Sequence, residues 1–308
     1  MNAWFLAGPT AAGKSAVAHL LAEDMKAAIL CADAMTVYRA LDIGTAKPDA
    51  SMRASVPYYG LDIVDPDRTF SAGAFLDEAR RAAEAAASAG RPLIVVGGSG
   101  LYLSALLRGL DPAPAPNPSA RARWEAVLRE RGVEALEDAL RAQYPAAWAA
   151  LADPRNPRRL IRALERAEAG APTPTGWREA KLAPVCALQI EPDALKRRIA
   201  SRARAMIVRG LVDEAARIRA RWPVLSRTAR HAIGYDEAFA VLDGKITEGQ
   251  AVERIAARTW RLARRQMTWL RHQLPVIWIE AGGSASVREI ADAVRREWDR
   301  HGPHTLHI

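Results

Sequence analysis

Gly8-Pro9-Thr10-Ala11-Ala12-Gly13-Lys14-Ser15 follows the apolar run Trp4-Phe5-Leu6-Ala7 and opens a helical stretch from Lys14 to about Lys26. The eight residues match G-x-x-x-x-G-K-[ST] in full, and strand, loop, helix is the context that pattern needs. The spacing has a mechanical reason. Glycines let the backbone curl so that N–H groups point inward at phosphate oxygens, and the helix N-terminus adds positive potential. Lys14 can reach a terminal phosphate and Ser15 can ligand Mg²⁺. Gly8 to Ser15 therefore predicts a di- or triphosphate site on a P-loop core.

The sequence on either side supports an α/β fold. Ala28-Ile29-Leu30-Cys31, Gly60-Leu61-Asp62-Ile63-Val64 and Leu93-Ile94-Val95-Val96 are predicted as buried strands, with a helix from about Ser71 to Ala89 closed by Gly90. Strands alternating with helices imply βαβ units and a parallel sheet. Prolines at every second position then break the pattern from Asp111 to Pro118, as expected of an extended, semi-rigid hinge. Asn117 caps and Pro118 opens a helix that Gly132 should end, and Asn156-Pro157 begins another. The strand pattern resumes at Val185–Ile190 and Val276–Ile279, with a last helix from Val287 to about Arg300. The expected organisation is a P-loop NTPase-like parallel sheet flanked by helices, formed by 1–116 and 177–308, with an inserted all-helical domain at 117–176. Three of the six histidines lie in the tail 301–308 without Cys or carboxylate partners, so a frayed end is expected rather than a metal site.

Composition narrows the function. The 308 residues are half hydrophobic, enough for a sizeable core, and carry 44 Lys and Arg against 35 Asp and Glu, a net charge of +9. Two cysteines, Cys31 and Cys186, exclude a disulfide scaffold and a four-Cys zinc site, and fit a reducing cytoplasm. The longest uncharged stretch, Pro92 to Leu107, has 16 residues and three glycines, short of the ~20 apolar residues of a spanning helix. The run from Asn2 to Gly13 lacks the basic segment that precedes a signal-peptide core. Residues 1–110 hold 10 Lys and Arg against 11 Asp and Glu, whereas 111–308 hold 34 against 24. Charge placed this way favours a polyanion such as nucleic acid, although solvated arginine-rich helices would have the same composition.

The chemistry of the phosphate site is less direct. The strand 93–96 runs into Gly97-Gly98-Ser99-Gly100 with no acid at its tip, where a motor ATPase would carry its Mg²⁺ carboxylate. The acid follows the other strand, as Asp33. There it could assist Mg²⁺ or take a proton from a nucleophile, or simply cap the next helix. Farther on, Arg254, Arg258, Arg261 and Arg265 fall on one helix face with Trp260 and Trp269 interleaved, and only Glu248 and Glu253 oppose them nearby. Arg158, Arg159 and Arg162 form a second basic cluster, and Arg121 and Arg123 follow the hinge.

Several stretches in order resemble the tRNA dimethylallyltransferase (tRNA isopentenyltransferase) family. They are Gly8–Ser15, Asp33-Ala-Met-Thr-Val-Tyr-Arg39, Asp42-Ile-Gly-Thr-Ala-Lys-Pro48, Val96-Gly-Gly-Ser-Gly-Leu-Tyr102, Arg159-Leu-Ile-Arg-Ala-Leu-Glu165, Ala232-Ile-Gly-Tyr235 and Arg264-Arg-Gln-Met-Thr-Trp269. The resemblance implies transfer of a dimethylallyl group from dimethylallyl diphosphate to N6 of the adenosine 3′-adjacent to the anticodon (position 37), in tRNAs reading codons that start with U. Gly8, Pro9, Thr10, Ala11, Ala12, Gly13, Lys14 and Ser15, with Mg²⁺ on Ser15, would hold the diphosphate, and Arg202 matches a family arginine at that group. Asp33 matches the general base, and Ser99 stands where the family more often has Thr. By the same matching Asp33, Ala34, Met35, Thr36, Ser99, Arg121, Arg158, Arg159, Leu160, Ile161 and His231, Ala232, Ile233, Gly234, Tyr235, Asp236 would touch the anticodon stem-loop, whose target base must flip out of its stack. Ala34, Thr36, Arg158 and His231 depart from the usual Ser, Gln, Gln and Arg or Gln, which bears on base contacts. A cytoplasmic monomer without a membrane partner is the expectation. The alternatives are a P-loop kinase of a small molecule or nucleotide, which predicts ATP turnover, and an RNA-binding module whose P-loop is structural.

Overall fold

The computed structural model describes residues 1–110, 114, 117–173 and 182–308. In chain order its elements are β1 (Asn2–Ala7), α1 (Lys14–Met25), β2 (Ala28–Ala32), α2 (Ala50–Ser55), β3 (Tyr58–Tyr59), α3 (Ala72–Ser88), β4 (Leu93–Gly97) and α4 (Gly100–Arg108). There follow α5 (Pro118–Gln143), α6 (Pro145–Ala149), α7 (Pro157–Glu168), β5 (Val185–Gln189), α8 (Pro192–Val208) and α9 (Leu211–Arg221). The chain closes with α10 (Tyr235–Leu242), α11 (Glu248–Gln273), β6 (Val276–Glu280), α12 (Val287–His301) and β7 (His304–Thr305). It divides into two compact units, Met1–Arg108 with Lys181–Ile308, and Gly109–Ala180. The expected domain borders at 116 and at 176–177 lie outside the described residues, as does most of the proline-rich hinge.

The larger unit is built on a sheet in the order β3-β2-β4-β1-β5-β6, parallel throughout, with β7 antiparallel to the start of β1. Alternation along the strands sends side chains to two faces. Phe5, Leu30, Val95 and Ala187 belong to a core with Phe75 of α3, Leu103 of α4 and Ile255 of α11. Leu6, Ile29, Ile94 and Leu188 pack instead on Val17 and Leu21 of α1 and on Val294 and Trp298 of α12. Burial on both faces explains why the strands are continuous apolar runs. In the register, Ala7 and Ala32 both stand opposite Gly97, so β2, β4 and β1 end side by side.

Two expectations need correction. The third strand is Tyr58–Tyr59, not 60–64. Gly60 turns with positive φ where a Cβ would lie 2.6 Å from the Cys31 carbonyl oxygen, and Asp62 is left-handed, its carboxylate turned onto Lys47 and Arg53. The tail is not frayed: His304–Thr305 pairs with β1, Leu306 is buried, and the Leu306 and His307 amides donate to Met1 and Leu106 carbonyls. Gly132 does end the helix opened by Pro118, as expected: its φ 79 and ψ −178 are non-helical, so α5 is two helices joined at a kink.

The smaller unit packs α5, α6 and α7 around Trp124, Leu136, Leu140, Leu160, Ile161 and Leu164. Asn117 and Asn156 cap α5 and α7 as anticipated, accepting the Ala120 and Arg158 amides. No helix among the described residues is long and apolar enough to cross a membrane.

Candidate active site

The phosphate loop leaves β1 through Gly8 and enters α1 through Gly13, both with positive φ. Gly8 is required by packing as well, because a Cβ there would meet the Leu188 carbonyl oxygen at 2.8 Å. Lys14 Nζ donates to the Pro9 carbonyl at 2.7 Å, and Ser15 is exposed with no hydrogen bond among the described residues. Burial brings the Lys14 pKa down to about 8, opposed by the negative charge of Asp33 and reinforced by Arg202.

The ends of β2 and β4 complete the floor. Asp33 Oδ1 accepts the Met35 amide at 2.8 Å, so the residue shapes a turn rather than capping a helix, and its second oxygen has no partner among the described residues. Ser99 Oγ accepts the Ala34 amide at 3.1 Å, tying the two strand ends together. Thr36 is buried and donates to the Asp33 and Gly60 carbonyls. From α8, Arg202 reaches Thr10 Oγ1 at 3.5 Å, and its buried Nε is without a partner among the described residues. Burial pulls the Arg202 guanidinium below its ordinary pKa while Asp33 opposes the shift. Loop, Lys14, Ser15, Asp33 and Arg202 line one cleft of about 450 Å³, shared with Thr45, Arg198, Arg209 and Gln266. A recess of about 80 Å³ adjoins it through Thr10, Asp33 and Arg202, and is mostly apolar along Met35, Ile199, Ile233 and Ile255, with Thr45, His231 and Thr259 as its other polar residues. Charged walls beside a small apolar recess suit an anionic group with a short hydrocarbon attached.

No cluster of three or more His, Cys, Asp or Glu able to cage a metal occurs among the described residues. Mg²⁺ needs none where a phosphate supplies ligands, since it keeps waters and takes one or two side-chain oxygens. Ser15 Oγ and the free Asp33 oxygen are hard donors in the same cleft, so the residues fit that ion.

The structure also explains motifs whose residues had no assigned role. Buried Lys47 spends its three protons on the Tyr38 carbonyl, Asp42 and Asp62, at 2.6 to 2.7 Å. A Cβ on Gly44 would fall 2.6 Å from the Tyr235 ring, whose hydroxyl donates to Glu214. That carboxylate accepts the Asp42 and Ile43 amides in turn. Gln266 Oε1 accepts the Thr10 amide at 2.8 Å, and the Trp269 ring fills the place of a side chain at Gly100. Gln266 lies in the cleft but was not among the expected site residues. Its signal was its place three residues before Trp269 in the Arg264–Trp269 segment.

The residues matched to RNA contact separate into two groups. Arg158, Arg159, His231 and Asp236 are exposed. Leu160, Ile161, Ala232 and Tyr235 are core side chains, Gly234 is buried with φ 109, and Ile233 and Met35 line the recess. Arg121 is held by Glu165 through two 2.6 Å bonds. On α11, Arg258 pairs with Asp236 and Glu237, acids the sequence reading had not set against it. Trp260 lies under the Lys196 ammonium and packs into a core cluster, so neither tryptophan is a free stacking platform. Both cysteines are buried thiols, pushed up to about 12 by burial.

Residues 36–273 match the family model described as IPP transferase. The chain is 44% identical over 276 residues to a tRNA dimethylallyltransferase of Thiobacillus denitrificans, covering 87% of this chain and 88% of that one. It is 40% identical over 275 residues to one of Deinococcus radiodurans, covering 87% and 89%. Among solved structures it is similar to the full-length tRNA isopentenylpyrophosphate transferase of Bacillus halodurans, with a TM-score of 0.69, 33% identity, and 96% and 95% coverage. The fold is also that of a eukaryotic dimethylallyltransferase described as acting on tRNA, with a TM-score of 0.74, 21% identity, and 97% and 76% coverage.

Proposed function

The chain belongs to the IPP transferase family, and on that premise we propose that it is a tRNA dimethylallyltransferase. It transfers the dimethylallyl group of dimethylallyl diphosphate to N6 of the adenosine 3′-adjacent to the anticodon, in tRNAs reading codons that start with U, and releases diphosphate. The observation that carries this reading is the joining of three adjacent strand ends. They bring a phosphate loop and a carboxylate into one cleft with Lys14 and Arg202, and Ser99 is bonded to the Ala34 amide beside that carboxylate. The aliphatic side chains of the recess beside the loop suit a short hydrocarbon attached to a diphosphate.

In this mechanism the loop amides, Lys14 and Arg202 bind the diphosphate, and the negative charge that grows on it as the allylic C–O bond breaks falls where their donors already point. Arg202, with an unpartnered buried Nε, has a donor to spare for that charge. The N6 lone pair forms the new C–N bond, and Asp33 takes the amine proton through its free oxygen. A base is useful because an adenine amine is a poor nucleophile. Ser99, fixed by the Ala34 amide, keeps its own proton to orient the adenine. Mg²⁺, which Ser15 would hold, would supply positive charge to the leaving group. The exposed Arg158, Arg159 and His231, with Arg254, Arg261 and Arg265 of α11, bind the anticodon arm through its phosphates. The protein works as a monomer in the cytoplasm.

The test is nucleoside mass spectrometry of unmodified tRNA incubated with enzyme, dimethylallyl diphosphate and Mg²⁺. N6-dimethylallyladenosine beside the anticodon is expected. Its absence, with ATP hydrolysed instead, would favour a kinase.

A further inference from the structure

Gln266 stands at the phosphate end of the cleft with one half of its amide committed and the other free. Oε1 accepts the Thr10 N–H at 2.8 Å, joining α11 to the phosphate loop. An N–H can be met only by the oxygen of a carboxamide, so this bond decides which way the group faces. Nε2 then lies close above Gly98, where a side chain's Cβ would come within 2.5 Å of it, and it makes no hydrogen bond among the described residues. The same hypothetical Cβ would stand 2.8 Å from the Gly8 carbonyl, which places the amide between the phosphate loop and the end of β4.

We propose that Gln266 contacts the substrate directly, its Nε2 donating to an oxygen of the bound diphosphate while Thr10 holds the amide in that orientation. The inference rests on the cleft being the diphosphate site of the proposed reaction. Its neighbours there are Gly13, Lys14, Arg198 and Arg202, a wall of donors and cations. The apolar recess, where hydrocarbon and base would meet, is lined by other residues and not by Gln266. A neutral amide adds a directed donor beside three cations without adding to their mutual repulsion. It also gives the family segment 264–269 a chemical role: Trp269 seats α11 on Gly100, and Gln266 uses that seat.

The experiment compares the full chain with Gln266→Glu and Gln266→Met by calorimetric titration of inorganic diphosphate in Mg²⁺. Thermal melting and KM values for dimethylallyl diphosphate and tRNA are measured in parallel. Gln266→Glu keeps an acceptor for Thr10 and loses the donor. Melting as wild type, with diphosphate bound about 10- to 100-fold more weakly and KM raised for the diphosphate substrate but not for tRNA, is expected. Gln266→Met should show the same loss. Wild-type diphosphate affinity in Gln266→Glu would overturn the proposal, leaving Gln266 as a loop support. A rise confined to the tRNA KM would also overturn it, and so would unfolding of both variants. Diphosphate binding is read without prenyl transfer, so a protein that binds diphosphate through Gln266 yet forms no prenylated tRNA would refute the proposed reaction alone.

Discussion

Lys14 is the buried cation of the phosphate loop. Its ammonium rests on the Pro9 carbonyl in a setting that lowers its pKa to about 8, with burial the main cause. Between about pH 8 and the unfolded value of 10.5 the unfolded chain keeps a proton that the folded chain has released, so this group makes the ligand-free protein more stable as pH rises across that window. Diphosphate binding has the opposite dependence, because it needs the ammonium. Calorimetry should find affinity falling about tenfold from pH 7 to pH 9, with about one proton taken up on binding at the upper end. Lys14→Arg should flatten the profile, whereas a flat wild-type profile would remove Lys14 from the phosphates. Asp33→Asn should leave tRNA affinity intact and cut turnover about 10²- to 10⁴-fold in single-turnover assays. Unchanged turnover would make Asp33 only the turn former that its bond to Met35 already makes it.

Individual elements are held by contacts that the motifs hinted at without explaining. The Trp269 ring needs Gly100 bare, since a Cβ would lie 2.3 Å from it. Gly100→Ala should therefore cost about 1–3 kcal/mol in denaturant unfolding, and adding Trp269→Leu should return part of that loss because the two sites share one space. In the helical unit, Glu165 is buried and ties α7 to α5 through Arg121, with Arg162 3.4 Å away. Its carboxyl is held below the ordinary value by those arginines against the cost of burial. Glu165→Gln should destabilise this unit by about 3 kcal/mol, read as faster hydrogen exchange across residues 118–143 and 157–168. Helix starts were legible because Asn117, Asn156 and Ser71 are caps whose chemistry is local. The Tyr235–Glu214 bond and the seating of Gln266 were not, because each joins side chains far apart in sequence.

Across the whole molecule the sequence exposed the architecture more readily than the surface. Apolar runs and the phosphate motif announced a parallel sheet, and the proline tract marked the helical interruption. The strand order was hidden, since nothing in β1 says that β4 and β5 will flank it. The clustered arginines divide: Arg121 and Arg258 are spent on carboxylates, while Arg254, Arg261 and Arg265 are exposed without an acidic partner among the described residues. If the latter three meet tRNA phosphates, replacing each with Ala should lower the salt slope of tRNA binding by about one, and an unchanged slope would return them to solvent. The phosphate loop itself has a consequence for biogenesis. Its eight residues are made before the groups that shape them: Gly8 packs on the backbone of Leu188 and Thr10 bonds to a residue 256 positions later. A growing polypeptide thus carries the motif, while the next 256 residues are made, without the shape that grips diphosphate. Competence at the ribosome arrives with α11.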